Sequence, residues 1–122
     1  MVDSASVTVT RIELSSARDA LPVVRVRGAL DIVSAPELGS ALARAAAGED
    51  SRVIVDCSAL TAVDSEGLRV LLNTRRTLAR RRRALVIRHV PEPLVERFVA
   101  AGLAGTIEAE SRAEQSRGIS GV

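Results

Sequence analysis

The tetrapeptide at residues 64–67, which reads DSEG, is the strongest candidate for chemistry in this sequence. It stands where an amphipathic stretch predicts the start of a helix, so Ser65 would meet the unpaired backbone N–H groups and the positive end of the helix dipole. Its hydroxyl can cap the helix, and Gly67 would let another backbone come close. On spacing alone, the simplest interpretation is that Asp64 and Ser65 are helix-capping residues.

Ser65 is also a candidate catalytic nucleophile, but its neighbours do not suit that role. Val63 replaces the first glycine of the G-x-S-x-G nucleophile elbow. His89 is the only histidine in the sequence, and it is predicted at the end of a different strand. The sequence therefore argues against a strained nucleophile elbow at Ser65.

Residue types that build metal or cofactor sites are scarce. The 122 residues include a single cysteine, Cys57, and a single aromatic residue, Phe98. One cysteine excludes an internal disulfide and a cysteine-based metal site, and one aromatic ring argues against stacking of nucleic-acid bases. We therefore predict no metal and no cofactor, with Cys57 as a small buried hydrophobe and Phe98 as a core residue.

The charge balance also argues against nucleic acid as a direct partner. All 17 basic residues are arginines, and 15 acidic residues reduce the net charge to +2. The densest basic run comprises Arg80, Arg81, Arg82 and Arg83. It could contact an acidic surface, but we favour a solvated helix C-terminus, where cations complement the helix dipole.

Length and hydropathy indicate one soluble domain. A chain of 122 residues, 47% of them hydrophobic, can bury a core of its own without disulfides or metal. The sequence has neither the charged start and apolar centre of a signal peptide nor an apolar window near the ~20 residues that span a bilayer. We therefore expect a cytoplasmic protein that does not contact a membrane.

Apolar periodicity predicts the elements that position the DSEG segment. An extended segment over 6–14, a turn over 15–20 and an alternating strand around Val24 and Val26 form an opening hairpin. Gly28 is predicted to end the second strand of that hairpin.

The rest of the chain alternates helices with short apolar strands. A helix is predicted over 35–47, between Ser34 as its N-cap and Gly48 as its stop signal. The apolar runs 53–55 and 85–87 predict strands that are covered on both faces.

The first of these two strands is predicted to end at Asp56, and a second helix begins near Ser65. The apolar stripe of this helix comprises Leu68, Leu71, Leu72 and Leu78. A third helix follows two prolines, and its inward face comprises Leu94, Val95, Phe98 and Val99. Gly102 closes that helix, and residues 106–108 predict a last edge strand.

These elements follow the order β-β-α-β-α-β-α-β, which predicts an α/β fold with a mixed β-sheet and helices packed against it. One domain over residues 1–108 accounts for all of them. Residues 109–122 are small, polar or charged and lack periodicity, so we expect a disordered C-terminal tail.

Three motifs follow one another along these elements: GALD at 28–31, the segment 60–72 that contains DSEGL, and VPEPLV at 90–95 with the AGL at 101–103. In this order and spacing they resemble a STAS domain, and more narrowly the bacterial anti-sigma factor antagonists. The DSEGL stretch is the specific element, since the family pattern is D-S-[S/T]-G-L. The match covers most of residues 7–107 and implies a single STAS-like domain.

In that family, the serine of this motif is phosphorylated by a cognate serine-kinase anti-sigma factor. The unphosphorylated antagonist binds the kinase and frees the sigma factor, and phosphorylation ends that exchange. The resemblance therefore implies a regulator that is not itself an enzyme, in which Ser65 is the phosphoacceptor and the partner binds the ATP. The implied partner-binding surface comprises Asp31, Ser34, Asp64, Ser65, Glu66, Gly67 and Leu68. We expect the protein itself to be a monomer or a weak dimer.

Glu66 departs from the family pattern, which has Ser or Thr after the phosphoacceptor. It is either an acid that suits the first turn of a helix, or a sign that the kinase reads acidic neighbours or that the switch is lost. We favour the first interpretation because Ser65 is retained. A phosphate at a helix N-terminus is locally favourable, so phosphorylation should weaken the interface rather than melt the helix.

Two other functions are compatible with a small STAS-like protein. One is a subunit that docks on the cytoplasmic ATPase of a lipid-transport ABC complex and uses the same helix face as a structural contact. Such subunits often lack the full D-S-[S/T]-G-L motif, so the motif favours the antagonist. The other is an adaptor in a larger stress-sensing assembly, although the chain has no predicted sensor domain.

Overall fold

The computed structural model describes residues 6–12 and 21–108, and within them four strands form one sheet with three helices. The elements are β1 (Ser6–Ile12), β2 (Leu21–Leu30), α1 (Ala35–Ala46), β3 (Arg52–Val63), α2 (Ser65–Arg80), β4 (Ala84–Arg88) and α3 (Glu92–Ala100). The strand order is β1-β2-β3-β4, with β1 antiparallel to β2 and the other neighbours parallel. This mixed sheet confirms the predicted α/β class.

The predicted pairing of the first two strands is confirmed. β1 runs antiparallel to β2, from Ser6 opposite Arg27 to Ile12 opposite Leu21. The predicted turn at 15–20 lies outside the described residues, and so does the predicted C-terminal tail.

β2 does not end at Gly28, as the sequence predicted, but continues to Leu30. Gly28 has a φ of 75°, in the left-handed region that glycine adopts without the steric cost of a Cβ. The register between β2 and β3 is irregular next to this residue. Gly28 therefore marks a bulge within the sheet rather than the end of a strand.

β3 is also longer than predicted, because it continues past Asp56 to Val63. Its pairing with β2 passes two irregularities, and at each of them β3 contributes one extra residue. The buried residues Cys57, Leu60 and Val63 are consequently three apart instead of two. Each bulge breaks the period of two that identifies a strand in a sequence, so the apolar pattern stops where the strand does not.

α1 and α2 pack against each other and supply much of the hydrophobic core. α1 ends at Ala46, one residue before its predicted end, and Gly48 lies in the turn that follows. The predicted inward residues that are buried in these two helices are Leu38, Ala41, Leu42, Ala45, Leu68, Leu71 and Leu78. Leu72, which was predicted with them, is half-buried.

α3 is short, and only part of its predicted inward face is buried. Phe98 is fully buried, as predicted, whereas Leu94 and Val95 are half-buried and Val99 is 48% exposed. Consecutive helical residues are turned by about 100° from each other, and this short helix directs Phe98 to the core and Val99 to solvent. Leu103, just beyond the helix, fills the core instead.

The predicted last edge strand is reduced to a single bridge. Residues Ala104–Thr106 form a 3₁₀ turn, in which the Thr106 hydroxyl donates to the Leu103 carbonyl at 2.8 Å. Only Ile107 then bridges to Ile87 in β4. The 3₁₀ turn includes Thr106, the first residue of the predicted strand.

Candidate functional site

The parallel strands β2 and β3 end side by side, and each is followed by an aspartate. Leu30, the last residue of β2, pairs with Val63, the last residue of β3. The backbone N–H of Asp64 donates to the carbonyl of Leu30 at 3.0 Å, which connects the two turns directly. Residues 31–34 and 64–68 therefore form one surface region, which we call the carboxyl edge.

Asp64 alone caps α2. Its backbone is extended, and its Oδ1 accepts hydrogen bonds from the N–H groups of Glu66 at 3.0 Å and Gly67 at 3.2 Å. Ser65 is the first helical residue and is exposed, and its hydroxyl has no hydrogen-bond partner among the described residues. The prediction that Ser65 also caps the helix is wrong. The backbone stays extended through Asp64 after β3 ends, so Asp64 occupies the N-cap position and Ser65 is already helical. The Ser65 hydroxyl consequently remains accessible.

Gly67 is required by a close contact beneath the surface. A Cβ built at this position would lie 2.5 Å from Cγ and 2.7 Å from Cδ2 of Leu30, which is nearly fully buried. The sequence predicted that a backbone approaches here, but the group that approaches is the Leu30 side chain. Gly67 therefore allows the start of α2 to pack directly on the end of β2.

The turn at residues 31–34 is held by a compact set of hydrogen bonds. Asp31 Oδ1 accepts from the backbone N–H groups of Val33 at 3.0 Å and Ser34 at 3.1 Å. The Asp31 N–H in turn donates to Ser34 Oγ at 3.0 Å. Ser34 occupies the N-cap position of α1 as predicted, but its hydroxyl makes no cap hydrogen bond to the helix and is buried. Ser34 therefore shapes the turn from beneath.

The carboxyl edge is acidic. The hydrogen bond from the Ser34 N–H lowers the pKa of the Asp31 carboxyl below its usual value, so this group is charged at neutral pH. Asp64 and Glu66 add two more carboxylates around Ser65. Glu66 forms an ion pair with Arg69 at 3.8 Å, three residues further along the exposed side of α2.

Two exposed apolar residues in this region were missed by the sequence analysis. Ile32 is 67% exposed and Val33 is 75% exposed, although both are large and hydrophobic. The sequence pattern did not predict this exposure, because two apolar residues between a strand and a helix are normally interpreted as a continuation of one of the two elements. Their exposure depends on the hydrogen bonds of Asp31 and Ser34, which make a turn at this point.

Leu68 extends the carboxyl edge towards α3. Leu68 is 9% exposed and belongs to the hydrophobic core. It also lines a shallow, mainly apolar groove beside the phosphoacceptor candidate, together with Ser65, Arg69, Leu72 and Ala101. A molecule that covered Ser65 would therefore contact this groove as well.

The arginine run at the other end of α2 divides into two parts. Arg80, Arg81 and Arg82 are exposed, as expected for a solvated helix C-terminus. Arg83 is half-buried, and its guanidinium donates to the carbonyls of Asp50 at 2.6 Å and Ala46 at 2.8 Å. Arg83 therefore fastens the loop after α1 to the loop after α2, a role that the sequence did not indicate.

His89 and Cys57 are the other reactive side chains that the sequence analysis considered. β4 pairs with β3 only as far as Asp56, so the exposed His89 lies level with the middle of β3 and not with its end. Cys57 is buried, as predicted, and burial together with the Asp56 charge raises the pKa of its thiol to about 12. Within the described ranges, no three His, Cys, Asp or Glu side chains are grouped in a way that suits a metal ion. None of the helices there has the length and hydropathy of a transmembrane span.

The family of the chain follows from a match that includes the whole carboxyl edge. A family model described as "Mlab, STAS domain" matches residues 13–109. The chain belongs to the STAS domain family. This confirms the resemblance that the GALD and DSEGL motifs indicated. No curated protein matches the chain at a significant level.

Solved structures of anti-sigma factor antagonists share this STAS fold. An antagonist from Mycobacterium paratuberculosis is 27% identical, with a TM-score of 0.70 over 85% of this chain and 83% of that one. The antagonist SpoIIAA in its unphosphorylated form is 18% identical, with a TM-score of 0.63 over 93% and 97% of the two chains. The Bacillus cell fate determinant SpoIIAA in its phosphorylated form is 17% identical, with a TM-score of 0.63 over 92% and 100%.

Proposed function

We propose that this STAS domain is an anti-sigma factor antagonist whose binding to a serine-kinase anti-sigma factor is switched off by phosphorylation of Ser65. The observation that carries the proposal is the free, exposed hydroxyl of Ser65 at the first position of α2, next to the capping Asp64. The similarity to the M. paratuberculosis antagonist supports the same role. The kinase partner would bind the ATP, and the STAS domain would be its substrate in the cytoplasm.

The helix start can accept a phosphate without unfolding. A phosphoserine carries about −1.5 to −2 charges at neutral pH, and negative charge at an exposed helix N-terminus is stabilising by roughly 0.3–1 kcal/mol. The N–H groups that Asp64 already binds keep their partner, because the phosphate would be attached to a different side chain. Phosphorylation would therefore leave α2 folded.

The switch would act when a partner covers the carboxyl edge. In the free protein, water screens a phosphate on Ser65 from the carboxylates of Asp31, Asp64 and Glu66. A like-charge contact at ~4 Å costs about 1 kcal/mol in water and about 4 kcal/mol at an effective dielectric constant of ~20. Excluding water at an interface thus adds a penalty of about 3 kcal/mol per contact that is specific to the bound state, and a single such contact would weaken binding by roughly a hundredfold.

The predicted partner-binding residues would contribute in two ways. Asp31, Ser65, Glu66 and the exposed part of Leu68 would contact a partner directly. Asp64, Ser34 and Gly67 would maintain the shape of the surface, because they cap, brace and pack beneath it. Glu66 already has Arg69 as its ion-pair partner, which favours the interpretation of an ordinary first-turn acid.

A pull-down from lysate of the native host tests the proposal. The baits are the wild type, Ser65→Ala and Ser65→Asp, and retained proteins are identified by mass spectrometry. We expect the alanine bait to retain a serine-kinase anti-sigma factor and the aspartate bait to lose it. All three baits must show the same melting temperature, so that a loss of binding cannot come from unfolding.

The same experiment separates the antagonist from the transporter subunit. Equal retention of the ATPase of a lipid-transport ABC complex by all three baits would contradict the sigma-factor role. In that case Ser65 would be only the first residue of a helix in a structural contact.

A further inference from the structure

We propose that Ile32 and Val33, which we call the apolar pair, are the main affinity and specificity determinant of the carboxyl edge, and that they insert into an apolar pocket of the kinase partner beside a cationic group that faces Asp31. The inference rests on the proposed function and adds to it two residues that the family motif does not include.

Exposure distinguishes the apolar pair. Among residues 21–108, the large hydrophobic side chains that are exposed are Ile32 at 67%, Val33 at 75% and Val99 at 48%. A single exposed hydrophobic residue is common on protein surfaces. Here two of the three are adjacent in sequence and lie within one turn. A surface that concentrates its exposed apolar side chains beside its candidate modification site is suited to binding another protein.

The turn holds the apolar pair in a defined position. The Val33 N–H donates to Asp31 Oδ1, the Ser34 N–H donates to the same oxygen, and the Ala35 N–H donates to the Asp31 carbonyl at 2.7 Å. Ile32 and Val33 are also β-branched, so few side-chain rotamers are lost when a partner covers them. Both features lower the entropic cost of binding through these two residues.

The apolar pair is continuous with the Ser65 surface. The turn that carries it begins directly after Leu30, whose carbonyl accepts from Asp64 and whose side chain touches Gly67. A partner that reaches Ser65 therefore meets the adjoining turn along the same sheet edge.

Charge defines the chemistry of the occupant. Asp31 is charged at neutral pH and immediately precedes the apolar pair. An apolar pocket with an arginine or lysine on the side facing Asp31 would match both features, since complementary charge steers the encounter and apolar contacts at the centre of an interface carry most of the affinity. A second copy of this chain does not fit this requirement, because the carboxylates of its own carboxyl edge would repel those of the first copy.

The test uses the purified kinase that the Ser65→Ala bait retains. Its affinity is measured calorimetrically for the wild type, for the double variant Ile32→Ser/Val33→Ser, and for Val99→Ser as the matched control. We expect the double variant to bind at least about 30-fold more weakly and the control to bind within about threefold, with unchanged melting temperatures in both. The salt dependence of the affinity should stay the same in the double variant and become weaker in Asp31→Asn, because only the latter removes a charge.

Each other outcome contradicts a specific part. If the double variant binds as tightly as the wild type, the apolar pair is not the determinant, while the proposed function stands. If Val99→Ser weakens binding equally, position on the carboxyl edge does not matter and the inference is wrong. A wild type that self-associates in sedimentation experiments through the apolar pair would assign this surface to a second copy instead. If no kinase is retained at all, the proposed function fails and the inference fails with it.

Discussion

The two ends of α2 lie about 24 Å apart and use their charged side chains in different ways. At the N-terminal end, Asp64 accepts from N–H groups two and three residues along the chain, and Asp31 does the same in the neighbouring turn. At the C-terminal end, Arg83 reaches carbonyls 33 and 37 residues away, at Asp50 and Ala46. Local hydrogen bonds shape a surface, whereas distant ones hold separate segments together.

This difference separates binding from stability along a single helix. The exposed side chains of the carboxyl edge make few contacts that stabilise the fold, so they can be substituted while the domain remains folded. Arg83 contributes to stability instead, because its side chain is hydrogen-bonded to the carbonyls of Ala46, at the end of α1, and Asp50, in the loop that follows. Gly67 is the exception at the N-terminal end, since it lies beneath the binding surface and packs on Leu30.

Gly67 gives the largest expected effect. Gly67→Ala would place a Cβ 2.5 Å from Leu30 Cγ and should lower the free energy of unfolding by about 1–3 kcal/mol, because overpacking a core contact is destabilising. The matched control is Gly39→Ala in α1, where a Cβ would meet Val70 Cγ1 at an ordinary 3.8 Å. This control should raise stability by about 0.5–1 kcal/mol, because alanine favours the helix. Urea denaturation of both variants measures the difference, and two stabilised variants would show that Leu30 yields to the new methyl group.

Arg83 tests the C-terminal end. Arg83→Met keeps much of the aliphatic stem but removes the donors to Ala46 and Asp50, so the free energy of unfolding should fall by about 1–2 kcal/mol. The exposed neighbour Arg81 is the control, and Arg81→Met should change stability by less than about 0.5 kcal/mol. Neither change should alter the affinity for the kinase. A loss of affinity in either variant would show that the arginine run is part of the interface. Binding would then not be confined to the N-terminal end of α2.

The pH dependence of stability gives the smallest expected effect. The pKa of Asp31 is lowered in the folded protein, so its contribution is present above the ordinary value of 3.8 and is lost as the pH falls through the folded pKa. Wild type should therefore lose stability below pH 3.8 more steeply than Asp31→Asn, which keeps an acceptor oxygen but does not titrate. Thermal melts of both proteins at acidic pH measure this difference. Parallel curves would mean that the 31–34 turn gains nothing from the charge.

Much of the fold could be predicted from the sequence because its helices are regular. The apolar residues of α1 and α2 recur at helical spacing, and the buried faces match that spacing from Leu38 to Leu78. The ends of β2 and β3 could not be predicted, since bulges near Gly28 and after Asp56 interrupt the strand period. Bulges depend on the pairing of two distant segments, which periodicity within one segment cannot reveal.

The candidate site was only partly predictable for a related reason. The DSEGL motif identified Ser65 and its neighbours because it is continuous in sequence. The roles within the motif could not be predicted, because Asp64 and Ser65 are both good capping residues in isolation. The path of the chain after β3 makes Asp64 the N-cap. The exposure of Ile32 and Val33 is likewise a property of the turn that Asp31 and Ser34 make.

The most direct test of the account is the position and effect of the phosphate. Wild type and Ser65→Ala are incubated with the captured kinase and ATP, the modified residue is mapped by fragmentation mass spectrometry, and the affinity of the modified protein for the kinase is measured. The account predicts one phosphate on Ser65, none on the alanine variant, an unchanged helical circular dichroism signal and an affinity roughly a hundredfold lower. A phosphate on another residue, or a phosphorylated Ser65 that binds as tightly as before, would contradict it.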